Sequence, residues 1–123
     1  MNLNEISNQK VFIAGSTGMV GSAIKRSFLK NKKFNTKKRL IILSPSRKEL
    51  DLSNYNSVEN WLKKNKPDIV IIAAAKVGGI YANKTQPTDF LLENLKIQTN
   101  LIELSYKHNV SKLLFLGSSC IYP

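Results

Sequence analysis

Three evenly spaced glycines, in Gly15-Ser16-Thr17-Gly18-Met19-Val20-Gly21, follow directly on the apolar run Val11-Phe12-Ile13-Ala14. The segment they open has apolar residues at helical spacing, so the glycines stand where a strand turns into a helix. In such a turn the first glycine bends the chain sharply. The second lets the backbone approach a pyrophosphate, and the third lets the helix pack against the strand. The helix N-terminus then presents unpaired N–H groups and the positive end of its dipole. The loop therefore predicts a dinucleotide site. A glycine-rich turn without a ligand is the plainer alternative, and the strand before and the helix after it argue against that.

Four short, continuous apolar runs, Val11–Ala14, Leu40–Leu43, Ile69–Ala73 and Leu113–Leu116, read as strands covered on both faces. Helical spacing covers Met19 to about Lys30, about Tyr55 to Lys64, and about Thr88 to His108, with Pro87 suited to a first turn. Strand alternating with helix predicts an α/β fold, a doubly wound Rossmann-type parallel sheet of four strands in the order 3-2-1-4. The ligand cleft is then expected above strands 1 and 4. At 123 residues and 42% hydrophobic content, the chain can bury one core, so residues 1–123 form a single folded unit.

The net charge of +11 brings nucleic acid into consideration, because Lys30, Lys32, Lys33, Lys37, Lys38 and Arg39 cluster together. Only Phe34 accompanies them, and no nucleic-acid-binding motif surrounds them, so a solvated loop is the preferred reading. A basic surface also suits anionic small molecules, through a field that salt screens. No apolar run has the length of a membrane span or signal peptide, which leads to a cytoplasmic expectation. The single cysteine allows no internal disulfide and agrees with a reducing compartment.

Nicotinamide specificity is read at the end of the second strand, where NAD sites carry a carboxylate for the ribose 2′-hydroxyl. Here that end is Leu43-Ser44-Pro45-Ser46-Arg47-Lys48, with no acid. Arg47 can hold a 2′-phosphate through parallel N–H donors, so NADP(H) is the expected cofactor. An exposed, solvated Arg47 is the alternative. Asp51 either meets the adenine amino group or caps the following helix. Lys76 is either a ligand contact or loop surface, and Asn94 a structural peg. A reductase of a carbonyl also needs a proton donor, commonly a Tyr-x-x-x-Lys pair, and none occurs in residues 1–123. The lone His108 closes the long helix, where it faces the negative dipole end.

The G-x-x-G-x-x-G spacing resembles the extended short-chain dehydrogenase/reductase superfamily. Within it, the runs Ala73-Ala74-Ala75-Lys76-Val77-Gly78-Gly79-Ile80 and Gly117-Ser118-Ser119-Cys120-Ile121-Tyr122-Pro123 resemble the GDP-L-fucose synthase family. That resemblance implies an NADPH-dependent epimerase and reductase of a GDP-sugar substrate, without nucleic-acid or membrane partners, whose full-length members pair as homodimers. It implies Ser118 as the catalytic serine and Cys120 as the residue abstracting protons at C3 and C5. It places Arg47 on the 2′-phosphate and the stretch containing Asp51 and Leu52 under the adenine. Ala73, Ala74, Leu116, Gly117 and Ser119 complete the expected cofactor-binding set with residues 15–21. Taken without the resemblance, Cys120 reads first as a small buried thiol. It also implies that residues 1–123 are an amino-terminal piece, lacking the substrate lobe and turning over little or nothing by themselves. Two rival readings are another sugar-nucleotide epimerase or dehydratase, against which Arg47 and Cys120 argue, and a non-catalytic NADP-binding module.

Overall fold

The computed structural model describes residues 9–30, 40–78 and 80–118. Along the chain run β1 (Lys10–Ala14), α1 (Met19–Lys30), β2 (Ile41–Leu43), α2 (Tyr55–Asn65), β3 (Ile69–Ile72), α3 (Ile80–Thr85), α4 (Pro87–Lys107) and β4 (Lys112–Phe115). All strand pairings are parallel. The α/β Rossmann-type layout expected from the sequence is what forms.

The strand order is β2-β1-β3-β4, which corrects the expected 3-2-1-4. The third strand expected from the sequence forms as β3, but it pairs with the free side of β1 and not beyond β2. After β2, Ser46 to Glu49 form a turn closed by Glu49 N donating to Ser46 O, and the chain runs on to the cap of α2. β2 stays a three-residue edge strand, and α2 carries the chain past β1 to its other side. The topological switch therefore lies between β1 and β3, and that is where the cleft opens.

Alternation along β1 sends its side chains to two layers. Phe12 and Ala14 join Val58 and Leu62 of α2 and Ile97, Leu101 and Leu104 of α4 in the main core. Val11 and Ile13 face the opposite side with Ile71, where Ile24 and Phe28 of α1 cover them. Deleting any one of the fully buried leucines costs about 2–5 kcal/mol through lost transfer energy and the cavity left behind. Two-sided cover holds for β1 and β3 but not for β4, whose four residues are all exposed.

Local signals explain the helix ends. The Asn54 Oδ1 accepts from Ser57 N at 2.9 Å and starts α2, while Lys66 at φ 49° closes it by donating its amide to Leu62 O. Pro87 occupies the first turn of α4. The six-residue α3 was not expected: it is too short to show an apolar period, and the Gln86 amide joins it to α4 by donating to Ala82 O.

Candidate functional site

β1 stops at Ala14, and Gly15 follows at φ +84°, a conformation that side-chain-bearing residues avoid. A Cβ on Gly15 would stand 2.6 Å from the Ala73 carbonyl oxygen, and one on Gly21 would stand 2.1 Å from Gly15 O. Both glycines are thus required by the protein's own packing, one against the β3 loop and one for seating α1 on the turn. Gly18 differs, because the nearest atom to its Cβ would be Gly15 O at 3.4 Å, an ordinary contact. No packing demand explains it, and it lines a cavity.

Gly18 donates its amide to Gly15 O at 3.1 Å, and the amide of Ser22 reaches back to Gly18 O at 2.9 Å. The amides of Met19, Val20 and Gly21 come earlier in the helix than that bond, so by position they have no intrahelical acceptor. Ser16 is buried beside them, and Thr17 and Met19 are exposed. The cavity, of about 220 Å³, lies over the carboxyl ends of β1 and β3. Its walls are Gly15 to Gly18, the stretch Ala73 to Lys76, Pro45 and Arg47 from the β2 loop, Leu50 to Leu52, and Glu93 and Ile97 of α4.

One carboxylate joins two of these walls. Glu93 Oε1 accepts from Arg47 Nη2 at 2.8 Å, and Glu93 Oε2 from Lys76 Nζ at 2.7 Å. The hydrogen bond from Lys76, and then the Lys76 and Arg47 charges, hold the Glu93 carboxyl below its usual range against the opposing effect of burial. Lys76 is itself fixed: its amide donates to Asn94 Oδ1 at 2.6 Å, and Asn94 Nδ2 donates back to Lys76 O at 3.0 Å. Asn94 is therefore the peg that the sequence suggested. Asp51 turns its Oδ1 to the amide and hydroxyl of Ser53, which lower its pKa, and Asn54 caps α2 in its place.

The structure brings together most of the expected cofactor set, namely Gly15, Ser16, Thr17, Gly18, Arg47, Asp51, Leu52, Ala73 and Ala74. Met19, Val20 and Gly21 stand just behind them in α1. Leu116, Gly117 and Ser118 follow β4, which pairs with the far side of β3, and they do not line this cavity. Ser119 and Cys120 lie outside the described residues, as does the basic stretch 31–39. His108 ends α4 as expected, its imidazole 3.8 Å from Glu59 on a different part of the surface. Glu93 escaped sequence reasoning, since an acid inside a long helix has no signal of its own. Its adjacency to the peg Asn94 was the one available cue.

Residues 11–123 match the model of the NAD dependent epimerase/dehydratase family. The chain belongs to that family. Among its members, the chain is 52% identical over 114 residues to GDP-L-fucose synthase 1 of Arabidopsis thaliana, covering 93% of this chain and 33% of the relative. It is 45% identical over 118 residues to GDP-L-fucose synthase of Escherichia coli (strain K12), covering 96% and 35%. The chain spans about a third of the length of the curated relatives it matches. A solved family structure, MlghC, a GDP-mannoheptose C4 reductase from Campylobacter jejuni with NADP bound, superposes with a TM-score of 0.83 at 37% identity, covering all of this chain and 36% of that one. Among the described residues no helix is long and apolar enough to cross a membrane.

Proposed function

We propose that this chain carries the NADP(H)-binding part of an epimerase and reductase converting GDP-4-keto-6-deoxy-D-mannose to GDP-L-fucose. The observation that carries the reading is one cavity in which a glycine loop open at Gly18 faces Arg47, where an NAD site would set a carboxylate. The NADP bound to the Campylobacter reductase and the names of the two synthases support it. The amides after Gly18 hold the pyrophosphate, Arg47 takes the 2′-phosphate, and Leu50 to Leu52 with Ile97 offer the adenine an apolar wall.

When bound, the coenzyme supplies hydride chemistry. The hydroxyl of Ser118 holds the sugar carbonyl, and Cys120, as thiolate, takes the protons at C3 and C5, each centre inverting when a partner acid returns a proton on the opposite face. A free thiol near its ordinary pKa of about 8.5 is largely protonated at neutral pH, so that role needs a cationic neighbour. Residues 1–123 contain no Tyr-x-x-x-Lys pair, and by themselves hold coenzyme without sustained turnover. A missing general acid removes roughly 10²- to 10⁴-fold in rate. Leu91, Leu95, Ile102 and Tyr106 form an exposed apolar stripe at helical spacing on α4, which supports pairing of two copies.

Coenzyme titration tests the reading. NADPH should bind more tightly than NADH, and Arg47→Ala should cost NADPH roughly 10- to 100-fold, the range of a charge-assisted hydrogen bond, while leaving NADH almost unchanged. Equal affinities in the unaltered protein would defeat the assignment.

A further inference from the structure

We propose that Glu93 acts as a competing anion for Arg47 and thereby sets how strongly the site separates nucleotides with a 2′-phosphate from those without. The inference rests on the coenzyme reading above and concerns a residue which that reading leaves without a part.

Among the described residues, Glu93 is the one hydrogen-bond partner of the Arg47 guanidinium. Arg47 is 80% exposed at its side chain, so nothing packed against it resists a turn toward another anion. Lys76 is the firmer partner of the same carboxylate, 33% exposed, with its backbone locked to Asn94 and its ammonium 5.3 Å from the centre of the Phe90 ring. Glu93 itself is only 21% exposed. If Arg47 leaves, Lys76 still neutralises Glu93, and no half-buried charge is stranded. Arg47 is the exchangeable member of the trio, Lys76 the resident one.

Arg47, Lys76 and Glu93 together line both the coenzyme cavity and an outer depression carrying Asp89 and Lys96. A guanidinium at that position has space on either side. A phosphate monoester carries about −1.5 to −2 charges against −1 for a carboxylate, and so wins Arg47 from Glu93. The displaced carboxylate stays near, and both the lost pair and the like-charge approach weaken the phosphate's hold. A nucleotide ending in a 2′-hydroxyl makes no such demand and leaves the Arg47–Glu93 pair in place. Glu93 therefore lowers affinity for one class of nucleotide and spares the other.

Calorimetric titration of the full-length protein with 2′,5′-ADP and with 5′-AMP isolates this term, since the two probes share the adenosine and the 5′-monophosphate and differ only in the 2′-phosphate. Glu93→Gln keeps an acceptor for Lys76 and removes the charge. It should tighten 2′,5′-ADP roughly three- to fivefold, the upper range of an exposed ion pair, and leave 5′-AMP within twofold. In an Arg47→Ala background the same change should have no effect on either probe, the signature of a direct coupling. Unchanged or weaker 2′,5′-ADP binding in Glu93→Gln, equal tightening of both probes, or a gain that survives without Arg47 would each overturn the proposal while the coenzyme reading stands. An unaltered protein that binds both probes equally would overturn that reading and this proposal with it.

Discussion

At the scale of single residues, the three glycines of the loop separate by what they touch. A methyl group on Gly21 would overlap the Gly15 carbonyl, so Gly21→Ala should destabilise the fold by about 1–3 kcal/mol despite alanine's better helix propensity. Gly18→Ala meets only an ordinary contact and should leave the melting temperature nearly unchanged while abolishing most coenzyme affinity. Melting curves paired with NADPH titrations check both; equal thermal losses would show that Gly18 is structural. Much of this was legible in the sequence, because strand, turn and helix each impose their own spacing on residues 11–24. Glu93 was not, because its significance comes from two partners 17 and 46 positions away, and no local pattern encodes such a meeting.

At the scale of elements, α2 and α4 are joined at their outer surface by Glu59, which accepts from Lys107 Nζ at 2.7 Å and lies 3.4 Å from Lys63 Nζ. The Lys107 hydrogen bond lowers the Glu59 pKa from 4.5, and the same bond raises that of Lys107 from 10.5. A depressed carboxyl binds fewer protons in the folded chain than in the unfolded one, so its contribution is complete above the ordinary carboxylate value and fades as pH falls through the folded pKa. The raised ammonium contributes fully below its ordinary value and fades on the alkaline side. Stability from this joint should thus be flat between those limits and decline beyond each. Denaturant unfolding across pH should show a shallower acid limb in Lys107→Gln, where Glu59 returns toward its ordinary pKa; an unchanged limb would assign the acid sensitivity elsewhere. The helix boundaries were readable to within a residue or two from Pro87 and the apolar spacing, although the cap of α2 proved to be Asn54 and not Asp51. α3 was not, since six residues complete too few turns to reveal a face.

Across the whole molecule, the alternation of strands and helices revealed the class of fold, but the strand order depended on which neighbour β3 pairs with, and that is β1 and not β2. Residues 44–54 look neither more nor less polar than other connections, and their hydrogen bonds, not their composition, settle which side of β1 receives β3. The order in turn leaves β4 at the margin, with Leu113, Leu114 and Phe115 at 39%, 51% and 44% exposure. An apolar strand with an unpaired side is a template for further strands. Residues 1–123 produced by themselves should self-associate with rising concentration, and Leu114→Lys should suppress this in light scattering; no change would place the sticky surface elsewhere. The central position of β1 also governs the order of events at the ribosome. It is made first, yet its neighbours arrive only with residues 41–43 and 69–72. At about 5–20 residues per second, roughly 3 to 12 seconds separate the synthesis of Ala14 from that of Ile72. For that interval the apolar run Val11 to Ala14, wholly buried in the finished fold, has nowhere to go, which makes it a stretch that a chaperone would grip.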